Sequence, residues 1–384
     1  MTPAMTEHAD ELVTRAKAET GLDDLGEDTW SEGLQQLVRS ADADGRYTDM
    51  GRMSFEAEVV RNLRNRLLIE QLYREHPEID EQDCEVELLG VGFPRTGSTA
   101  LAALLGEDHR VRHLRMWEAG DPMPPPGLSP EADEQRIAAG RARIEMQDMM
   151  EPRFKSMLPQ SATGPLEDHD LLGISFQSQH FIAMSWVPTY ADWFLRCDMV
   201  PAYHYERRVL KVLQWKQGPH RWWLKSPTHS LFLAQREQVF PETRYVMTHR
   251  DVSKVLPSVA DLYTVMLGFM NENIDPIAVG ALNMDQWGTA LDRMLAYRDD
   301  TRDARFFDMA FIEFQADPIG QIRGLYDWLG TDFTPEVEGA MQAWWDGNPR
   351  DGARHEYHAE QFGLDDASLE ARFGAYRQRF GPLL

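Results

Sequence analysis

The sequence predicts an α/β protein, a parallel sheet flanked by helices with more helices ahead of it and inserted into it. Three observations carry this. The apolar run Val86–Val91 leads into Gly92-Phe93-Pro94-Arg95-Thr96-Gly97-Ser98-Thr99 and then Ala100–Leu105, the order strand, glycine-bearing turn, helix start. Short aromatic or β-branched runs recur at Arg221–Leu224, Arg244–Met247 and Arg305–Met309, each bounded by charged or Gly/Pro punctuation. Between them lie stretches with apolar residues at helical spacing. Strands that alternate with helices imply a parallel sheet covered on both faces.

Residues 1–80 read as a helical N-terminal extension packed on the core. Its clearest segment is Ser54–Tyr73, where Val59, Leu63, Leu67, Ile69 and Leu72 follow a period near 3.6. Residues 81–384 form the α/β domain, with a helical insertion at about 130–217. After the first helix comes a basic, loop-like piece, Arg110–Glu118, then Pro124-Pro125-Pro126, which cannot join a helix interior. Glu131–Met150 reads as a helix and Pro159–Gly173 as a polar loop rich in acids and histidines. Helices follow at 188–198 and 203–217. A helix is expected between the strands at 221 and 244, a long one from Val252 despite Pro257, and another over Ala278–Tyr297.

Hydrophobic residues at 42% with 10% aromatics place the chain among globular proteins. The formal net charge of −24 excludes a nucleic-acid or anionic-membrane surface as the main partner, since both require a basic face. Cys84 and Cys197 stand far apart, so neither a disulfide framework nor a C-x-x-C site is indicated, which suits a reducing compartment. The acidic, polar start is unlike a signal peptide, and no run of about 18 apolar residues exists. The expected location is the cytoplasm.

The glycine-bearing turn carries the first functional reading. Successive backbone N–H groups at a helix start, with the positive end of the helix dipole, form a nest for phosphate or sulfate. The G-x-x-x-x-G spacing is that of a P-loop, yet Ser98 stands where that loop has lysine, and Arg95 is its one cation. An anion cradle results, for a nucleotide other than ordinary Mg-ATP or Mg-GTP. The backbone from Arg95 to Thr99 and the hydroxyls of Thr96, Ser98 and Thr99 are its candidate ligands.

A second region supports this: Lys225-Ser226-Pro227-Thr228-His229, Phe240–Asp251 and Pro257-Ser258. With the first loop, it resembles the PAPS-dependent sulfotransferases, which move a sulfuryl group from 3'-phosphoadenosine-5'-phosphosulfate (PAPS) to a hydroxyl or amine and release PAP. The layout is most similar to the tyrosylprotein and bacterial branches, over about residues 86–360. The resemblance implies that the first loop holds the 5'-phosphosulfate. It implies that an arginine and a serine eight positions later, here Arg250 and Ser258, hold the 3'-phosphate. Lys225, at a strand end, would stabilise the transferring group, and no metal is required.

Two bases compete. Glu118 follows Arg95 by 23 positions, close to the catalytic glutamate of the tyrosylprotein branch. His229 is the chemical rival, although it follows Lys225 by four positions where the cytosolic branch has two, with Pro227 between. Arg350 and Arg354, in Asn348–Tyr357, resemble the basic loop that closes over the 3'-phosphate. The expected acceptor is a small molecule, lipid-like or phenolic. A P-loop nucleotide kinase or NTPase, and a non-catalytic nucleotide-binding protein on the same fold, are the alternatives.

Overall fold

A computed structural model describes residues 6–217, 221–298, 300–348 and 358–384. Four strands form the sheet: β1 (Glu85–Gly92), β2 (Arg221–Lys225), β3 (Arg244–His249) and β4 (Phe306–Ala310). They run parallel in the order β2-β1-β3-β4. The register sets Gly90 beside Lys225 and Gly92 beside Thr248, so the C-terminal ends of the three strands that bear the sequence motifs share one edge of the sheet.

The helices of eight residues or more are α1 (Glu7–Thr20), α2 (Ser31–Ala43), α3 (Asp49–Glu75), α4 (Ser98–Leu105), α5 (Pro130–Met150), α6 (Val200–Gln214), α7 (Val252–Gly268), α8 (Pro276–Arg298), α9 (Pro318–Leu329), α10 (Pro335–Gly347) and α11 (Asp366–Phe380). Alternating strand residues serve the two faces of the sheet. Leu88, Trp223, Val246 and Met309 pack with apolar side chains of α4, α9 and α10. Leu89, Trp222, Tyr245, Met247 and Phe306 join the larger core, to which α1–α3, α6–α8 and α11 contribute.

The N-terminal helices are part of that core. Leu34, Phe55, Val59, Leu63 and Leu67 are all buried in it. Arg66 on α3, fully buried, donates to the carbonyls of Leu25 at 2.7 Å and Glu27 at 2.9 Å, closing the α1–α2 connection onto α3. The start of α3 abuts the end of α7. Thr48 donates its N–H to the Met270 carbonyl at 3.0 Å, and a Cβ at Gly51 would overlap that carbonyl oxygen.

Three expectations need adjusting. The link between β2 and β3 holds only short turns, Pro227–Leu231 and Leu233–Arg236, rather than a full helix. The basic loop ends in a short helix, Met116–Gly120, and the polar loop of 159–173 contains the helical turn His169–Leu172. Helix α5 has the expected bounds but buries none of its residues. Its first half is tied by polar contacts, with Arg136 donating to the Asp121 carbonyl at 2.6 Å and stacking over Trp117. No described helix is long and apolar enough to cross a membrane.

Candidate active site

The first loop leaves β1 through Gly92 (φ 104°), passes Arg95 (φ 65°) and enters α4 through Gly97 (φ 93°). The left-handed conformation suits the two glycines and strains the arginine. Gly97 is the N-cap of α4 and provides no side-chain cap, so the first-turn N–H groups are presented to whatever lies above the loop. The Thr96 hydroxyl points elsewhere: it is buried, donates to the Phe93 carbonyl at 2.8 Å and meets Thr248 Oγ1 at 2.5 Å. Thr96 therefore locks the loop to β3 and offers an anion only its backbone. Thr99 is exposed and faces the adjoining cleft, and Ser98 is nearly buried.

Residues far apart in sequence converge on this loop. Arg95 Nε donates to Ser258 Oγ at 3.2 Å on α7, and its guanidinium also reaches the Met157 carbonyl. Arg250, just past β3, donates through Nη1 to the Arg95 carbonyl at 3.2 Å, with its guanidinium 4.4 Å above the Phe311 ring. Arg95, Arg250 and Ser258 are thus one cluster at the strand ends, the place where open α/β sheets bind ligands. His249 beside them is buried, with Tyr376 OH at 3.0 Å and Asp308 Oδ1 at 2.8 Å, and this fixes the turn that carries Arg250. Arg350 and Arg354 lie outside the described residues.

Lys225 ends β2 opposite Gly90, whose missing Cβ leaves room for the lysine stem. Its ammonium donates to Glu167 Oε1 at 2.6 Å. Burial opposes the charge on Glu167, but Lys225 and His169 outweigh it and bring the carboxyl down to about 2. From there a chain of ion pairs crosses the cleft floor. His169 Nδ1 lies 3.0 Å from Glu167, His169 Nε2 lies 3.4 Å from Asp170, and His180 bridges Asp170 at 3.0 Å and Glu58 at 2.7 Å. Burial works against protonation of both imidazoles, yet the carboxylates prevail and hold His169 at about 9 and His180 at about 10. Ligand atoms of His169, Asp170 and His180 lie within 4.8 Å of one another, a spacing that could suit a metal. Both nitrogens of His180 already face carboxylates, and protonated imidazoles have no lone pair for an ion.

These groups floor a cavity of ≈ 580 Å³ that reaches from Pro94 and Thr99 on the first loop to α3, α5 and α7. Glu118 and His229, expected as bases, do not line it. Glu118 is 0% exposed, accepts from Arg112 at 2.6 Å, pairs with Arg115, and takes the Arg115 N–H at 3.1 Å from the first turn of the short helix Met116–Gly120. His229 is also 0% exposed, between Asp168 Oδ1 at 3.0 Å and Tyr203 OH at 3.0 Å. Burial lowers its pKa against the pull of Asp168. Both side chains are thus sealed from the cleft and held on all their polar atoms, a setting that favours a structural role over contact with an acceptor hydroxyl. Asp168 also faces Arg236, which pairs with Glu206 at 2.5 Å. This buried network anchors the segment on which Glu167 and His169 turn toward the cleft.

Comparison with known proteins now decides the family. Residues 88–335 match the model of the sulfotransferase family. The chain belongs to that family. Its fold is similar to the crystal structure of sulfotransferase STF9 from Mycobacterium avium, with TM-score 0.87 and 29% identity over 99% of this chain and 98% of that one. It is also similar to sulfotransferase STF1 from Mycobacterium tuberculosis H37Rv, with TM-score 0.83 and 28% identity over 98% and 100%. No curated protein matches the sequence. The family membership makes the chain a transferase of sulfuryl groups. The groups that sequence reasoning missed in this sulfotransferase are Glu58, Glu167, His169, Asp170 and His180. The run Glu167-Asp168-His169-Asp170 within the polar loop was the available signal.

Proposed function

We propose that this sulfotransferase uses PAPS as donor and sulfates a hydroxyl or amine of a small molecule. The observation that carries the reading is the convergence of Arg95, Arg250 and Ser258 beside an uncapped helix start. Two anion sites result, on neighbouring strand ends. The loop backbone from Arg95 to Thr99 and the N-terminus of α4 suit the 5'-phosphosulfate, while Arg250 and Ser258 suit the 3'-phosphate through charge-assisted donors. The P-loop lysine is replaced by Ser98, which argues against a kinase or NTPase.

In the proposed step an acceptor oxygen attacks sulfur in line as the bond from sulfur to the bridging phosphate oxygen breaks. Lys225 turns from Glu167 toward that bridging oxygen and stabilises the charge that collects there. Glu167, released from the lysine and still held by His169, receives the acceptor proton. It lines the cleft beside Lys225, and geometry outranks pKa in choosing a base. PAP leaves from the Arg250–Ser258 side.

Thermal shift with PAP, AMP and ATP with Mg tests the donor, because a ligand stabilises in proportion to occupancy. PAP should give the largest shift, and Arg250→Ala should erase the preference for PAP over AMP. A larger response to ATP with Mg, or an intact preference in the variant, overturns the assignment. Glu167→Gln should lower the single-turnover rate about 10²–10⁴-fold, the usual range for a general base.

A further inference from the structure

The cleft walls have a composition that the reaction itself does not require. Of 19 methionines in the chain, seven line this one cavity, among them Met50, Met146, Met150, Met184, Met266 and Met270. They come from α3, the short helix Met116–Gly120, α5, the turn Gln179–Met184, α7 and the segment after it, so no single helix periodicity explains their meeting. Three sit at the mouth in the open: Met50 is 69% exposed, Met146 52% and Met150 53%. Exposed thioethers in such number are unfavourable on a free surface and ordinary on one that takes a variable apolar partner. Of the aromatic rings on this cavity, Phe154 and Phe269 pack edge to face against each other at 5.4 Å, while Tyr263 and Trp287 are buried in the wall.

We infer that the acceptor is an alcohol borne on a long, unbranched alkyl chain. This rests on the sulfotransferase reading of the cleft and adds the substrate class. The polar head reaches the floor at Glu167 and Lys225, and the chain runs outward along the methionines and under the last two turns of α5. Unbranched thioether side chains adapt to a flexible chain where branched or aromatic walls would demand one shape. Helix α5, with no buried residue of its own, gains its missing apolar partner when the chain lies beneath it. The mouth opens at the same cavity as the reacting groups, and the net charge of −24 disfavours an anionic membrane as the occupant.

The test displaces a dansyl-labelled undecyl chain with 1-alkanols of four to ten carbons, and with phenol and glucose, on the full chain. PAP-induced thermal shift is measured in parallel. Alkanol affinity should rise about threefold to fourfold per methylene, and phenol should compete no better than a short alkanol. The double variant Met146→Glu, Met150→Glu alters exposed positions and should weaken the longest alkanol at least tenfold while leaving the PAP shift intact. A flat chain-length series, a preference for phenol or glucose, or unchanged alkanol affinity in the double variant overturns the inference. A change in oligomeric mass in that variant without loss of alkanol binding would assign the rim to a second copy, and also overturns it. Chain-length dependence without any PAP response would refute the donor reading and leave the acceptor class standing.

Discussion

Raising the pH should uncouple the cleft floor, and His169 gives the magnitude. Its folded-state pKa stands at about 9 against 6.5 for a free imidazole, because Asp170 and Glu167 overcome the effect of burial. At 1.36 kcal/mol per tenfold change, that difference is worth about 3 kcal/mol. A pKa raised on folding gives stability that is present in full below 6.5 and lost as the pH climbs through about 9. The side chain is 20% exposed, so solvent screening takes little from this figure. With an unfolding entropy of about 2.1 cal/mol/K per residue, the loss corresponds to a fall in Tm of about 4 °C. The perturbation is His169→Gln, which keeps a donor and removes the charge. Urea unfolding of both proteins from pH 6 to pH 10 reads the effect. Their stability gap should be widest at pH 6 and shrink by about 3 kcal/mol by pH 10. A gap constant across that range, or an NMR titration of His169 near 6.5, would refute the reasoning.

Glu118→Gln should destabilise the fold by about 3–5 kcal/mol in chemical unfolding, since it strips Arg112 of its buried partner, while turnover of the folded fraction stays near wild type. Unchanged stability with collapsed turnover would restore Glu118 as the base. Lys225→Met should reduce kcat about 10²–10³-fold and let Glu167 titrate closer to 4.5 than to 2, which infrared detection of the carboxylate can follow. Gly51→Ala should lower stability by about 1–3 kcal/mol, because the new Cβ drives α3 away from the Met270 carbonyl; an unaltered Tm would show that the two helices are not in contact as described.

The sheet and the strand-end turns that bear Arg95 and Arg250 were legible because each is written in contiguous residues with a strong local pattern. Val86–Leu105 needs no tertiary knowledge to read as strand, turn and helix. Arg250 lies just before α7 and Ser258 in its second turn, so a fixed sequence offset translates into a fixed distance. The floor of the cleft was not legible. Glu58, Glu167 and His180 arrive from a helix, a loop and a short turn, and polar residues in irregular segments carry no periodicity that would bring them together. Glu118 stands at an apt spacing from Arg95, while its immediate neighbours, Arg112 and Arg115, hold its carboxylate. Helix α5 illustrates the converse: its bounds were correct, and its lack of a buried face could be seen only in three dimensions.

The Arg95 carbonyl is a joint between two halves of the proposed donor site. Arg250 hangs from it, and the same residue's side chain grips Ser258. Whatever settles into the turn above α4 therefore also sets the stance of the residues meant for the far phosphate. Pieces of the donor assayed singly, sulfate on one hand and adenosine 3'-phosphate on the other, will underestimate the intact molecule, and each will tighten the hold on its counterpart.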